Sequence, residues 1–135
     1  MKKISLGFLA TLITVISFSQ SWSVDKMHSR LGFEVTHLLV TDVDGQFKTF
    51  DIALTASKDD FTDAAVTVTA DISSINTDND YRDNDLKSDK YFDAAKFPTL
   101  SFKSTSMQKT DDKHYKLSGN LTMHGVTNRL CWMLL

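Results

Sequence analysis

Apolar and polar residues alternate with a period of two along most of the chain after residue 21. The clearest alternation is in Ala64–Ser73, where Val66, Val68 and Ala70 share one face and Thr67 and Thr69 share the other. This pattern is typical of strands that bury one face. Turn-forming residues recur at roughly the 8–12-residue spacing of antiparallel sandwiches and barrels. The pattern therefore predicts an all-β, antiparallel fold.

Another strand pattern lies earlier in the chain, where one face carries Leu31, Phe33, Val35, His37 and Leu39. Asp42-Val43-Asp44-Gly45 follows it, and Asp-Gly is a common hairpin signal, so we predict a turn there. Gln46–Ala56 is predicted to be the following strand. Its apolar parity changes between Phe47 and Phe50, and a bulge near Lys48-Thr49 would restore a single apolar face.

Further strands are predicted at Thr99–Met107 and His114–Met123, with His124-Gly125 ending the second and Val126 beginning another. A polar connection of roughly 25 residues precedes them, which is longer than a hairpin requires. Within it, Thr77-x-x-Asp80 resembles a capping box and predicts a short helix over Asp78–Lys87. We expect this helical crossover to lie across one end of the barrel, with Tyr91 and Phe92 as apolar anchors.

The first 21 residues have the composition of a secretory signal peptide. Basic Met1-Lys2-Lys3 precedes an apolar run, Ile4–Phe18, and small residues follow it. We therefore predict cleavage near Ser19–Ser21, export to the periplasm, and one domain over residues 22–135 without an integral membrane segment. A buried N-terminal helix or a membrane anchor is the alternative interpretation.

Charge and cysteine content narrow the function classes. The formal net charge of the 135-residue chain is −2, and loss of Lys2 and Lys3 would make it more negative. Such a domain has no electrostatic basis for binding nucleic acid. Cys131 is the only cysteine, so no intrachain disulfide can form and stability depends on the apolar core.

Candidate catalytic and metal-binding residues are sparse. Ser29 adjoins His28 and lies near Asp25, but no Gly-x-Ser-x-Gly motif surrounds them, and we predict no catalytic site. The spacings of the four histidines match no compact metal-ligand motif, and we predict no metal. His37 lies on the apolar face of its strand, where a buried core histidine is the favoured interpretation.

The charged pair Arg82-Asp83 in the crossover has two interpretations. It belongs either to a solvated helix face or to an anchor in which Arg82 holds the crossover to the barrel or to the polar head of a ligand. Composition does not separate these interpretations.

Several motifs occur in a characteristic order from Trp22 to Thr127. They are Trp22-Ser23-Val24-Asp25, His28-Ser29, Gly32–His37, Gly45-Gln46-Phe47-x-x-Phe50, Ser74–Thr77, Asn79-x-x-Arg82-Asp83, Leu86-Lys87-Ser88, Tyr91-Phe92-Asp93, Phe97–Thr105 and Gly119–Thr127. In these residues the chain resembles the YceI-like, polyisoprenoid-binding proteins, which have a lipocalin-like barrel.

The resemblance implies an extracytoplasmic, eight-stranded barrel that holds an isoprenoid lipid, of quinone or polyprenyl type, in its lumen without another cofactor. Strand parity and the family's polar positions together give the candidate ligand-binding residues Phe33, Val35, His37, Phe50, Ile52, Val66, Val68, Arg82, Phe102, Leu117 and Leu121. Polar positions that the resemblance adds are His28, Ser29, Asp83 and His124.

The chain departs from the family pattern at two places. Asp85 stands where the family usually has histidine, and the pattern stops at Thr127, after which Asn128–Leu135 is an apolar run that neither alternates nor turns. We therefore predict a truncated product or, as an alternative, a shorter barrel closed by homodimerisation. The competing functional hypotheses are a non-functional fragment, and a metal-binding or enzymatic protein that uses His28, His37 or His124.

Overall fold

The computed structural model describes residues 20–37 and 41–134, excluding the side chains of His37 and Leu134. These residues form nine strands and one α-helix, which we number in chain order. The strands are β1 Gln20–Ser23, β2 Leu31–His37, β3 Thr41–Phe47, β4 Phe50–Ala56, β5 Ala65–Asp71, β6 Ile75–Asn76, β7 Thr99–Lys109, β8 Tyr115–Met123 and β9 Val126–Leu134; the helix, α1, is Asp80–Lys87. The predicted signal peptide lies outside the described residues except for its last two, which begin β1.

All strand pairs are antiparallel and belong to two sheets. The larger sheet has the order β1-β4-β5-β7-β8-β9, and the smaller has the order β2-β3-β6. The predicted all-β class with one helical crossover is confirmed. Within residues 20–37 and 41–134, the larger sheet does not close into a barrel, since β1 and β9 lie at its two edges.

The two sheets meet at a corner, and here the predicted bulge is wrong. Lys48 and Thr49 separate β3 from β4, so the parity change marks the passage of the chain from one sheet to the other. The facing chain turns beside it in a short 3-10 helix, Ile72–Ser74, between β5 and β6. The backbone N–H of Lys48 donates to the Ser74 carbonyl at 3.1 Å, and that of Asp71 donates to the Thr49 carbonyl at 2.9 Å.

The turn predicted at Asp42–Gly45 is also wrong, because these residues lie within β3. They pair directly with β2, in the register Glu34 with Asp44 and Phe33 with Gly45. Asp42 and Asp44 are exposed, so their side chains do not oppose strand formation. The connection between β2 and β3 falls on residues 38–40, outside the described residues.

The inner face of the sheets, defined by Val66, Val68 and Phe102, carries two apolar clusters. The first cluster is centred on the larger sheet, and its buried members are Ala56, Ala64, Val66, Val68, Phe102, Met107 and Leu117. The second lies at the corner, with Phe47, Ala70, Ile72 and Ile75 buried. Leu31 packs against both clusters, so they form one continuous core.

The crossover helix begins later than its sequence signal predicts. Asn79, not Thr77, is the N-cap residue, and its side chain accepts a 3.0 Å hydrogen bond from the backbone N–H of Arg82. The predicted capping box is therefore wrong. Phe92 packs against the second cluster as expected of an anchor, but Tyr91 is 53% exposed and is not a buried anchor.

The last hairpin follows the prediction at its turn and departs from it afterwards. His124 and Gly125 have φ values of 51° and 72°, which suit a tight turn between β8 and β9. The run predicted not to alternate forms strand β9, in which Leu130 packs inward and Cys131 is exposed. Regular strand structure therefore continues past Thr127.

Among the described residues, no helix has the length and apolar character required to cross a membrane.

Candidate functional site

A cavity of about 320 Å³ lies between the β2–β3 hairpin and the helical crossover. We call it the crossover cavity. Its walls are mainly apolar, with one cation and one anion among them; they consist of Phe33, Val35, Val43, Arg82, Asp85, Leu86 and Tyr91. The structure thus brings together Phe33, Val35 and Arg82 from the set predicted to bind ligand.

The hairpin side of the cavity follows from strand register. Val35 pairs with Val43, and Phe33 pairs with Gly45, so that these side chains share the inner face. A side chain at Gly45 would collide with the Phe33 ring, and glycine therefore lets this ring approach the β3 backbone closely. The Phe33 ring also contacts that of Phe47, with centroids 5.6 Å apart.

Arg82 forms the polar part of the helical side, and its position is determined by Thr77. Its Nε–H donates to Thr77 Oγ1 at 2.8 Å, and its Nη2 donates to the Thr77 carbonyl at 2.7 Å. Thr77 directly follows β6, so these bonds attach the start of the helix to the smaller sheet. Arg82 is half-buried and bonded, unlike a residue of a solvated helix face.

Asp83 completes this arrangement from the interior. Only 5% exposed, it accepts hydrogen bonds at Oδ1 from the Thr77 backbone N–H at 2.8 Å and the Thr77 hydroxyl at 2.6 Å. The Thr77 hydroxyl thus donates to Asp83 while it accepts from Arg82. A buried carboxylate requires such partners, since its desolvation is otherwise costly.

The remaining predicted lumen residues lie on the inner face outside the crossover cavity. Val66, Val68, Phe102 and Leu117 are buried in the first cluster, and Ile52 and Leu121 are half-buried beside it. Phe50 packs against the second cluster.

Sequence reasoning missed several residues of the inner face. Val43 falls in the predicted Asp42–Gly45 turn, whereas the structure places it in β3, paired with Val35. Leu130 and Trp132 were placed in an irregular end, yet the Trp132 ring lies 4.4 Å from that of Phe102 between centroids. Leu86 carries no periodicity signal, because α1 has no clear apolar face, and only its place in the Leu86-Lys87-Ser88 motif marks it.

The polar positions that the resemblance added fall in three separate places: His28 and Ser29 before β2, His124 after β8, and Asp83 beside the cavity. His28 is exposed, and its Nδ1 lies 2.8 Å from Asp25 Oδ2 in the turn before β2. This hydrogen bond lowers the pKa of Asp25 from its ordinary value, and a hydrogen bond from the Met27 N–H lowers it further by a smaller amount. The contribution of ionised Asp25 to folding stability is fully present above the ordinary aspartate pKa, and it is lost as the pH falls through the lowered pKa of Asp25. Ser29 is half-buried next to it.

His124 lies in the β8–β9 turn, and its ring contacts Phe97 with a centroid separation of 4.9 Å. The His37 side chain is outside the described residues. In residues 20–37 and 41–134, no three histidine, cysteine or carboxylate side chains gather closely enough to hold a metal ion.

A wider groove of about 370 Å³ lies at the corner and differs in character from the crossover cavity. Its walls include Asp51 and Asp71, and Lys26, which forms a 3.6 Å ion pair with Asp51. Phe50 is the one predicted ligand residue that it contacts. Its polar walls suit water better than an apolar ligand.

The amino-acid sequence matches the family model of the YceI-like domain over residues 22–133. A UPF0312 protein of Staphylococcus aureus (strain bovine RF122 / ET3-1) is 39% identical over 108 residues, which are 80% of this chain and 60% of that protein. The corresponding protein of strain N315 is 38% identical over the same length. The chain thus spans about 60% of the length of these curated relatives.

Solved structures have the same fold. BcnA of Burkholderia cenocepacia superposes with a TM-score of 0.75 at 20% identity, over 82% of this chain and 69% of BcnA. A YceI protein of Campylobacter jejuni gives 0.64 at 32% identity, over 83% of this chain and 66% of that one. A polyisoprenoid binding domain from Saccharophagus degradans gives 0.61 at 19% identity, over 82% and 64%. With the family match extending past Thr127 to residue 133, this chain belongs to the YceI-like domain family.

Proposed function

We propose that this protein binds and carries a long-chain isoprenoid lipid, of quinone or polyprenyl type, on the inner face of its sheets. One observation carries the proposal. The inner face is apolar from the corner to β9, and its flanking side chains Ile52, Leu54, Leu121 and Leu130 are only half-buried. A ligand that covers them would bury apolar surface that the described residues leave open.

The energetics suit an isoprenoid tail. Burial of apolar surface contributes about 25 cal/mol per Å², or about 0.8 kcal/mol for each CH₂ group. A long tail without polar groups requires no hydrogen-bond partners on the sheet. Affinity then accumulates with tail length, and the protein acts by binding rather than by catalysis.

The comparisons support this choice of ligand at the level of the fold. The Saccharophagus degradans domain, which is named for polyisoprenoid binding, has the same fold as this chain. We extend that ligand class to this protein as part of the proposal.

The place of action is proposed from the sequence. Residues 1–21 direct export and are removed, leaving the domain in the periplasm. Immunodetection in the periplasmic fraction, with a mass that begins near Trp22, is the expected result. Retention of the full-length mass in the cytoplasm would contradict it.

Lipid extraction tests the binding proposal. The full chain is expressed in its own host, purified from the exported fraction and extracted with organic solvent for mass spectrometry. We expect an isoprenoid in near-stoichiometric amount. Ile52→Asn places an amide on the inner face and lowers lipid recovery several-fold, whereas Ala53→Asn, at the exposed neighbouring position, leaves it unchanged. Absence of any isoprenoid from folded wild-type protein would contradict the proposal.

Native mass spectrometry of the same purified protein, taken before extraction, tests the predictions of homodimerisation and of a truncated product. Homodimerisation predicts twice the chain mass, and a truncated product predicts a chain that ends at Leu135. A cooperative thermal transition of this chain would argue against a non-functional fragment.

A further inference from the structure

The crossover cavity combines apolar walls with charges of both signs. Arg82 and Asp85 both line it, and both are half-buried. Arginine has five N–H donors. Within the described residues, Thr77 takes up the Nε–H and one Nη2–H of Arg82, which leaves three N–H donors on a guanidinium that lines the cavity.

Carboxylates outnumber cations around this site. Asp85 lines the cavity, and buried Asp83 lies one hydroxyl group away from Arg82, since Thr77 Oγ1 bonds to both. The other charged residues of α1 are Lys87 and Asp80, and Asp80 is exposed and does not line the cavity, so solvent screens its charge. The positive charge of Arg82 is therefore balanced before any ligand binds.

We propose that the crossover cavity receives the head of the isoprenoid, and that Asp85 makes it select an uncharged, hydroxyl-bearing head over a phosphorylated one. This inference rests on the proposed lipid-binding function. A hydroxyl group can donate to the Asp85 carboxylate and accept from the Arg82 guanidinium at the same time. A lipid alcohol thus satisfies both charged groups.

A phosphorylated head would satisfy Arg82 but not Asp85. A terminal phosphate carries a charge of about −1.5 to −2 near neutral pH. In a half-buried site the repulsion from Asp85 is screened less than in water, so it opposes binding of the anion. Apart from Arg82, the walls offer the phosphate the Tyr91 hydroxyl as a donor, which is neutral and does not offset the second negative charge; Phe33, Val35 and Leu86 offer none.

A matched pair of ligands tests the selectivity. Octaprenol and octaprenyl phosphate, each in neutral detergent micelles, are titrated into the full, delipidated chain, and binding is followed by tryptophan fluorescence. We expect wild-type protein to bind octaprenol at least about tenfold more tightly. Asp85→Asn removes the repulsion and narrows this preference by about tenfold, mainly through tighter binding of the phosphate.

Two further variants provide the controls. Asp80→Asn removes the same charge from an exposed position on the same helix and leaves the preference unchanged. Asp85→Glu keeps the charge and keeps the preference. Equal effects of Asp80→Asn and Asp85→Asn would overturn the role of Asp85.

The outcomes separate the two proposals. If wild-type protein binds both ligands equally, or prefers the phosphate, the selectivity is refuted while the lipid-binding function stands. If it binds neither ligand, both proposals fail.

Discussion

Thr77 is the residue on which the polar side of the crossover cavity depends. Through its backbone and hydroxyl it bonds to both Arg82 and Asp83, at distances of 2.6 to 2.8 Å. These bonds hold an arginine and a carboxylate in fixed positions without a direct ion pair between them. The sequence marked Arg82-Asp83 as unusual but assigned Thr77 to the helix cap, because a capping threonine and a bridging threonine have the same local pattern.

Removal of the Asp83 side chain tests this arrangement. Asp83→Ala leaves the Thr77 N–H and hydroxyl without their buried acceptor, and hydrogen bonds to charged groups contribute about 1.5–3 kcal/mol. We expect the free energy of unfolding to fall by about 2–3 kcal/mol, measured by chemical denaturation. Asp83→Asn keeps an acceptor oxygen and should lose less.

Asp80→Ala is the matched control, since Asp80 is an exposed aspartate on the same helix. Its effect should stay within about 0.5 kcal/mol. Equal losses for Asp80→Ala and Asp83→Ala would show that the buried bonds to Thr77 add no stability.

At the scale of elements, two pairs of neighbouring strands pack closely because an aromatic ring on one strand contacts a glycine on the next. The Phe102 ring of β7 lies over Gly119 of β8, and the Phe33 ring of β2 lies over Gly45 of β3. In each pair, glycine removes the side chain that would displace the ring. Gly119 also lies against the Lys103 carbonyl, so its surroundings include rigid backbone.

Gly119→Ala should therefore destabilise the protein. The added methyl group would overlap the Phe102 ring and the Lys103 carbonyl, and overpacking typically costs about 1–3 kcal/mol. Thermal unfolding followed by circular dichroism measures the loss. Gly32→Ala is the control, because the nearest atom to its methyl group belongs to the flexible Arg30 side chain. A Gly119→Ala protein as stable as Gly32→Ala would contradict the close packing.

For the whole molecule, the decisive feature is the corner, where the chain passes from one sheet to the other between β3 and β4 and again between β5 and β6. Ser74 holds it together. Its hydroxyl accepts a 3.0 Å hydrogen bond from the Thr49 N–H and donates at 2.6 Å to the Asp71 carbonyl. The corner orients the β2–β3 hairpin so that α1 can cover its inner face and form the crossover cavity.

Ser74→Ala should weaken the junction of the two sheets. It removes the acceptor of the exposed Thr49 N–H, at an expected cost of about 0.5–1.5 kcal/mol in unfolding free energy. Hydrogen exchange of the β3 and β4 amides should rise with it. Ser73→Ala is the control, because exposed Ser73 joins this turn through its backbone N–H. Unchanged exchange in Ser74→Ala would refute the role of the hydroxyl group.

The sequence by itself determined which faces of β4, β5, β7 and β8 point inward, where the last hairpin turns, and that the domain is all-β. These properties are local: period-two alternation places Val66 and Val68 on one face whatever surrounds them, and His124-Gly125 adopts positive φ values within its own turn. The motif order also indicated the family that the full match confirmed.

Only the tertiary structure decided where β3 ends, which residues form the crossover cavity and what Thr77 bonds to. β3 ends at the corner, where its last residues pair with β6, for example Gln46 with Asn76. This pairing joins residues that lie far apart in sequence. Val43 belongs to the cavity because of its register with Val35, although its own sequence surroundings favour a turn. Where local propensity disagrees with long-range pairing, the pairing wins. Backbone and charged groups can leave water only when a hydrogen-bond partner is present, and the tertiary structure supplies that partner.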